Sequence, residues 1–157
     1  MDKLLKLLDS NARLTDAQLA TMLGCTEEQV RAQIAELEKS GAIRAYKAVI
    51  DWDKTERQNV TAIIELKVTP RRDVGFEGIA EQVMAFDEVE SVYLMSGGYD
   101  LSVRVNGRSF QDIAAFVAKR LSTLDSVIST ATHFVLRRYK ENNVMFLGEN
   151  QDERGIM

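Results

Sequence analysis

One cysteine, one proline, one histidine and one tryptophan occur in the 157 residues, and each scarcity removes a class of explanation. A single thiol excludes an intramolecular disulfide framework, and Cys25, with no neighbouring cysteine or histidine cluster, offers no metal spacing. It fits a reducing, cytoplasmic setting. With His133 alone and no close carboxylate pair in local sequence, no triad or metal centre can be assembled, so neither an enzyme nor a cofactor is expected. No apolar run approaches a membrane span. The opening MDKLLKLLDSN is apolar only at Leu4, Leu5, Leu7 and Leu8, broken by Lys6 and Asp9, and reads as an amphipathic helix, not a signal peptide. Basic charge is also short: 20 Lys and Arg stand against 24 Asp and Glu, a net charge of −4. The excess acid lies beyond residue 50, since the first fifty residues hold seven basic and seven acidic side chains.

What is present is an apolar share of 45% with 28% charged residues, which suits one medium or two small globular domains. The chain is organised around TDAQLATMLGCTEEQVRAQIAELEKSG, residues 15–41. Thr15 followed by Gln18 and Thr26 followed by Gln29 are two capping boxes, each marking a helix start. Leu19, Met22 and Leu23 make one side of the first helix, and Gly24 follows where a left-handed C-cap needs no Cβ. Val30, Ile34 and Leu37 stripe the second, which Gly41 ends. Two helices joined by a short glycine-containing turn form the unit that sets its second helix in the DNA major groove. An ordinary helical pair in a core is the plainer alternative.

Around this unit, the helix from residue 2 to 9 supplies leucines to complete a three-helix cluster. IRAYKAVI, residues 43–50, is rich in β-branched and aromatic residues and reads as a strand, a wing from which Arg44 and Lys47 reach phosphates. DWDKTERQN, residues 51–59, reads as a linker. From Val60 the grammar becomes strand, helix, strand, strand, helix, strand to Tyr139: VTAIIELKV alternates and stops at Pro70, before the basic loop of Arg71 and Arg72. Phe76, Ile79, Ala80 and Val83 mark a helix, and VESVYLM and YDLSVRV a hairpin around a tight Gly97-Gly98 turn. Ser109 and Asp112 cap a long helix carrying Phe110, Ile113, Phe116, Val117, Leu121 and Leu124, and VISTATHFVLRRY is the last strand. The fold class is therefore α+β: a winged helix-turn-helix over 1–50, then a ferredoxin-like βαββαβ domain over 60–139 with an antiparallel sheet. The Val, Ile, Ala and Phe of the strands imply that the face away from the helices would be covered by a partner subunit, giving a homodimer. Residues 140–157 read as a polar tail anchored by VMFL, with a mobile GENQDERGIM end.

LDSNARLTDAQLATMLGCTEEQVRAQIAELEKSGAIRAYKAVID and SVYLMSGGYDL, in this order and spacing, resemble the Lrp/AsnC family of feast/famine regulators over residues 4–139. The resemblance implies a transcription factor that binds double-stranded DNA through its N-terminal domain and assembles as dimers or octamers through its C-terminal domain. An amino acid or related metabolite would act as effector. Carried onto this chain, residues 26–40 are similar to the recognition helix, with Arg31 the foremost contact and Thr26, Gln29 and Gln33 beside it. Glu27, Glu28, Glu36 and Glu38 depart from a pattern that is more basic in relatives.

For the effector, Gly97 and Gly98 leave backbone N–H groups open to a carboxylate, and Asp100 suits an ammonium group. Tyr99 lies between them, Met95 offers an apolar wall, and Thr132, His133 and Phe134 are the matching positions on the last strand. A plain type I′ turn and an aspartate serving local amides are the alternatives. The two-domain shape also resembles haem-biosynthesis decarboxylases without DNA binding, in which His133, Arg137 and Arg138 would carry the chemistry.

Overall fold

Threonine hydroxyls fix where two of the first three helices begin. In the computed structural model, which describes residues 2–70, 72, 73 and 75–147, α1 spans Asp2–Ser10, α2 Asp16–Leu23 and α3 Glu27–Lys39. Both capping boxes are formed, at Thr15 and at Thr26. Leu4, Leu8, Leu19, Ala20, Val30 and Leu37 are buried together, and Leu5, Leu7, Leu14, Leu23, Cys25, Ile34 and Ile43 pack around them. Met22, read as part of the apolar side, is 57% exposed. Residues 43–50 depart from expectation more sharply. They belong to no sheet, and Tyr46, Val49 and Ile50 are exposed. Side-chain preference alone does not make a strand when no neighbour supplies a ladder.

The chain divides into two units, one of residues 2–50 with 140–147 and the other Asp51–Tyr139. The segment read as a linker is grouped with the second unit and contains a 3₁₀ turn, Trp52–Lys54, with Arg57 stacked over Trp52 at 4.6 Å. Residues 140–147, read as tail, carry a small hairpin of β5 (Lys140–Glu141) and β6 (Val144–Met145) turned by Asn142 and Asn143 at positive φ. The end GENQDERGIM and Arg71 lie outside the described residues.

In the second unit β1 (Val60–Val68), α4 (Gly75–Met84), β2 (Val89–Leu94), β3 (Leu101–Gly107), α5 (Phe110–Phe116) and β4 (Val127–Phe134) follow in the expected order. The sheet runs β2-β3-β1-β4, antiparallel throughout. Ala62, Ile64, Leu66 and Val68 of β1 are buried with Leu101, Val103 and Val105 of β3, against Ile79, Val83, Ile113, Phe116, Val117 and Leu121 of the helical layer. The last two of these come from a π-helical turn, Val117–Leu121, in which Ser122 N–H donates to Val117 O at 2.8 Å. This wider turn ends the helix expected to run regularly onward.

The helix-free face is not the apolar surface from which a dimer was expected. Alternation sends Val103, Val105 and Phe134 to the helices, and the register lays Thr61 beside Asn106, Ile63 between Arg104 and His133, and Glu65 between Ser102 and Ala131 on the other side. That face is mostly polar, and hydrogen bonds tie it together: Thr61 Oγ1 donates to Asn106 Oδ1 at 2.8 Å and Asn106 Nδ2 to Glu90 Oε2 at 2.9 Å.

Candidate nucleic-acid interface and effector loop

The helix-turn-helix is held at its corners by backbone and cap geometry. Thr15 Oγ1 accepts the Gln18 N–H at 3.2 Å, and Gln18 Oε1 accepts the Thr15 N–H at 2.9 Å. At the second box Thr26 Oγ1 accepts the Gln29 N–H at 3.3 Å and Gln29 Oε1 accepts the Thr26 N–H at 3.0 Å. Thr26 and Gln29 are thus brought together, with the Gln29 amide oxygen committed to the cap of an exposed residue. Gly24 stands at φ +68°, a conformation that Cβ sterics disfavour, and turns the chain between α2 and α3.

Arg31, the foremost DNA candidate, is already engaged. Its Nε donates to Asp16 Oδ2 at 2.9 Å and its Nη2 to Glu27 Oε2 at 3.3 Å, while the side chain stays 60% exposed. Glu27 at i−4 is a pairing that helix spacing makes legible. Asp16 lies on another helix and is not. Gln33 is half-buried. Beyond α3, the Arg44 guanidinium lies over Gly41, its Cζ 3.5 Å from where a Cβ would stand, and Lys47 is exposed. Tyr46 Oη donates to Glu38 Oε1 at 3.0 Å, and partial burial, together with that bond and the carboxylate charge, raises the phenol above its ordinary pKa. Glu27 and Glu28 favour the N-terminus of α3 electrostatically and oppose phosphate there.

The second candidate site is a loop and not the tight two-residue turn expected. β2 ends at Leu94 and β3 starts at Leu101, leaving residues 95–100 between them, closed by Met95 N–H donating to Asp100 O at 2.8 Å. Gly97 has φ +153°, and a Cβ at Gly97 or Gly98 would meet nothing within 4 Å, so the loop backbone is open. Asp100 turns inward: its N–H donates to Leu66 O at 2.9 Å and its Oδ2 accepts the Val68 N–H at 2.9 Å. One carboxylate oxygen therefore serves the backbone of β1.

Met95, Gly97, Gly98, Tyr99 and Asp100 are together in this loop, but Thr132, His133 and Phe134 do not join it. Phe134 and Thr132 pair with Ala62 and Ile64 on the helix side, and Phe134 meets Phe110 edge-on at 4.8 Å. His133 points the other way, where its Nε2 is 3.5 Å from Glu65 Oε1 with the imidazole 59% exposed. Along β4, Phe134 is roughly 13 Å from Thr130, which pairs with Leu66 at the loop's end of the sheet. Among the basic residues of the decarboxylase alternative, Arg137 stacks over Tyr139 at 5.3 Å.

Comparison with known proteins bears on both sites. Residues 3–44 match the family model described as winged helix-turn-helix DNA-binding, and residues 61–145 that described as the Lrp/AsnC ligand binding domain. The chain is 48% identical over 156 residues to the uncharacterized HTH-type transcriptional regulator YugG of Bacillus subtilis (strain 168), covering 99% of this chain and 94% of that one. A transcriptional regulator from Neisseria meningitidis, solved as its L-Met complex, superposes with a TM-score of 0.75 at 24% identity, covering 88% of this chain and 89% of that one. A feast or famine regulatory protein from M. tuberculosis, complexed with L-methionine, gives a TM-score of 0.73 at 22% identity, covering 88% and 90%. The two structures share the fold. Among the described residues no helix is long and apolar enough to cross a membrane.

Proposed function

The chain belongs to the Lrp/AsnC family and is a transcriptional regulator with a helix-turn-helix DNA-binding domain and a ligand-binding domain, and on that premise we propose how each is used. α3 enters the major groove of double-stranded DNA, with Arg31, Thr26, Gln29 and Gln33 toward bases and nearby phosphates and Arg44 and Lys47 toward the flanking backbone. The effector is an amino acid or related metabolite, contacted by the open loop of Met95, Gly97, Gly98, Tyr99 and Asp100. The L-methionine complexes of two structural neighbours support that ligand class. The functional unit is a homodimer, with octamers as the next assembly, because a two-fold pair of helix-turn-helix units multiplies weak phosphate attraction from a neutral domain. A ligand that binds one assembly state better than another then shifts DNA affinity.

The observation that carries this reading is the joint occurrence, in one chain, of a doubly capped helix-turn-helix and a separate ligand-binding fold. The chain acts by binding and not by catalysis, in the cytoplasm where its DNA is. The regulator names of its relatives favour this over a decarboxylase, and so does His133, which faces Glu65 on an open sheet surface. Fluorescence anisotropy of DNA from directly upstream of its own coding sequence, at two salt concentrations with and without pooled amino acids, tests it. Sequence-selective binding that weakens with salt and shifts with the pool is expected. Absence of binding in every condition, or a co-purified tetrapyrrole, would overturn it.

A further inference from the structure

We propose that Asp16 and Glu27 are positioning residues for Arg31, holding its guanidinium so that it meets a base edge end-on instead of folding onto a phosphate. This rests on α3 being the helix that enters the major groove. A guanidinium carries five N–H donors in a rigid plane. Asp16 Oδ2 takes the Nε donor at 2.9 Å and Glu27 Oε2 takes one Nη2 donor at 3.3 Å. Both Nη1 donors and the second Nη2 donor have no partner among the described residues, so each of the two terminal nitrogens at the end of the fork keeps an N–H to donate. That end is spaced for two acceptors on one base, as O6 and N7 of guanine present them.

The two carboxylates come from different helices, Asp16 from the first turn of α2 and Glu27 from the first turn of α3, so the arginine is referenced to the whole motif. A side chain ordered beforehand loses less freedom on binding, and its donors stay on target. The same pairing weakens indiscriminate attraction. Two carboxylates around one guanidinium leave the cluster with a net negative charge, so it cannot serve as a general phosphate anchor. Both effects favour discrimination between sequences over tight binding to any duplex.

The test uses the full chain. A random-sequence duplex library enriched with the unmutated protein supplies a preferred duplex, and a shuffled duplex of the same composition is the comparison. Asp16→Asn should bind the shuffled duplex about threefold more tightly while the preferred-to-shuffled ratio narrows about fivefold, the lower end of what one base contact contributes. Glu27→Gln, on an exposed face, should act in the same direction and guards against a folding defect at Asp16. Asp16→Glu should restore part of the ratio. Arg31→Lys keeps the charge but not the fork, and should narrow the ratio with little change in salt dependence. A merely structural role would weaken both duplexes alike and leave the ratio unmoved. Ratios within twofold of the unmutated chain in both Asp16→Asn and Glu27→Gln overturn the proposal. If the unmutated chain enriches no preferred duplex, the reading of α3 fails with it, an outcome separable because it needs no variant.

Discussion

Replacing Asp100 with alanine separates two accounts of the effector loop. Asp100 keeps its N–H bond to Leu66 O in the variant but loses the carboxylate that accepts the Val68 N–H. Val68 is 5% exposed and stands where the β1–β4 register shifts, so water is poorly placed to substitute. A buried donor left without its acceptor costs about 1–3 kcal/mol. On a domain the size of Asp51–Tyr139, each kcal/mol lowers the melting midpoint by about 4–8 °C, so a drop of at least about 4 °C is expected. Asp100→Asn retains an acceptor oxygen and loses only the assistance of charge, so it should melt between alanine and the unmutated chain. Thermal unfolding by circular dichroism, paired with amino-acid titration by calorimetry, measures both roles. Were Asp100 instead reserved for a ligand ammonium group, both variants would lose ligand affinity at unchanged midpoints. An Asp100→Ala midpoint within about 1 °C of the unmutated protein would refute the backbone role, given the loss that an unpaired amide implies.

Thr26→Ala removes the hydroxyl that accepts the Gln29 N–H, and chemical denaturation of the first unit should show a loss of about 1 kcal/mol. Gly24→Ala adds a Cβ that meets nothing within 4 Å, so only the left-handed backbone opposes it; about 1–2 kcal/mol is expected, and an unchanged midpoint would contradict that conformation. Ile64→Ala empties a fully buried position at the centre of the sheet and should cost about 2–5 kcal/mol in the same assay on the second unit. Because burial and Glu38 raise the Tyr46 phenol above its ordinary value of 10.0, the folded chain keeps that proton longer than the unfolded one. Its contribution is complete below that value and is lost as pH rises past it, so a Tyr46→Phe chain should show a shallower alkaline fall in denaturation midpoint.

What the sequence makes legible is what is local in it. A capping box spans four residues, so Thr15 with Gln18 and Thr26 with Gln29 announce both helix starts without tertiary information. The alternation from Ala62 to Val68 survives for a similar reason, since β1 is central and only one of its faces meets the helices. Misreadings arise where a partner decides. Residues 43–50 have strand-like side chains and no ladder. The Val, Ile, Ala and Phe of the strands suggest an apolar helix-free face, but register places Val103, Val105 and Phe134 on the helix side. Thr132, His133 and Phe134 are consecutive in sequence but lie on alternate sides of the sheet. The Asp16–Arg31 pair and the hold of Asp100 on Val68 bridge fifteen and thirty-two residues, distances that no helical or strand period encodes.

The loop at residues 95–100 is pinned at its two ends and idle in between. Met95 and Asp100 are bonded to each other and Asp100 to β1, whereas substitution at Gly97 or Gly98 would displace no neighbouring atom and only the backbone preference of Gly97 resists it. Substitution at Gly98 is therefore nearly silent for folding while changing what the open backbone presents to its surroundings. Gene copies descending from such a chain can vary at Gly98 with no intermediate that must first unlearn its architecture.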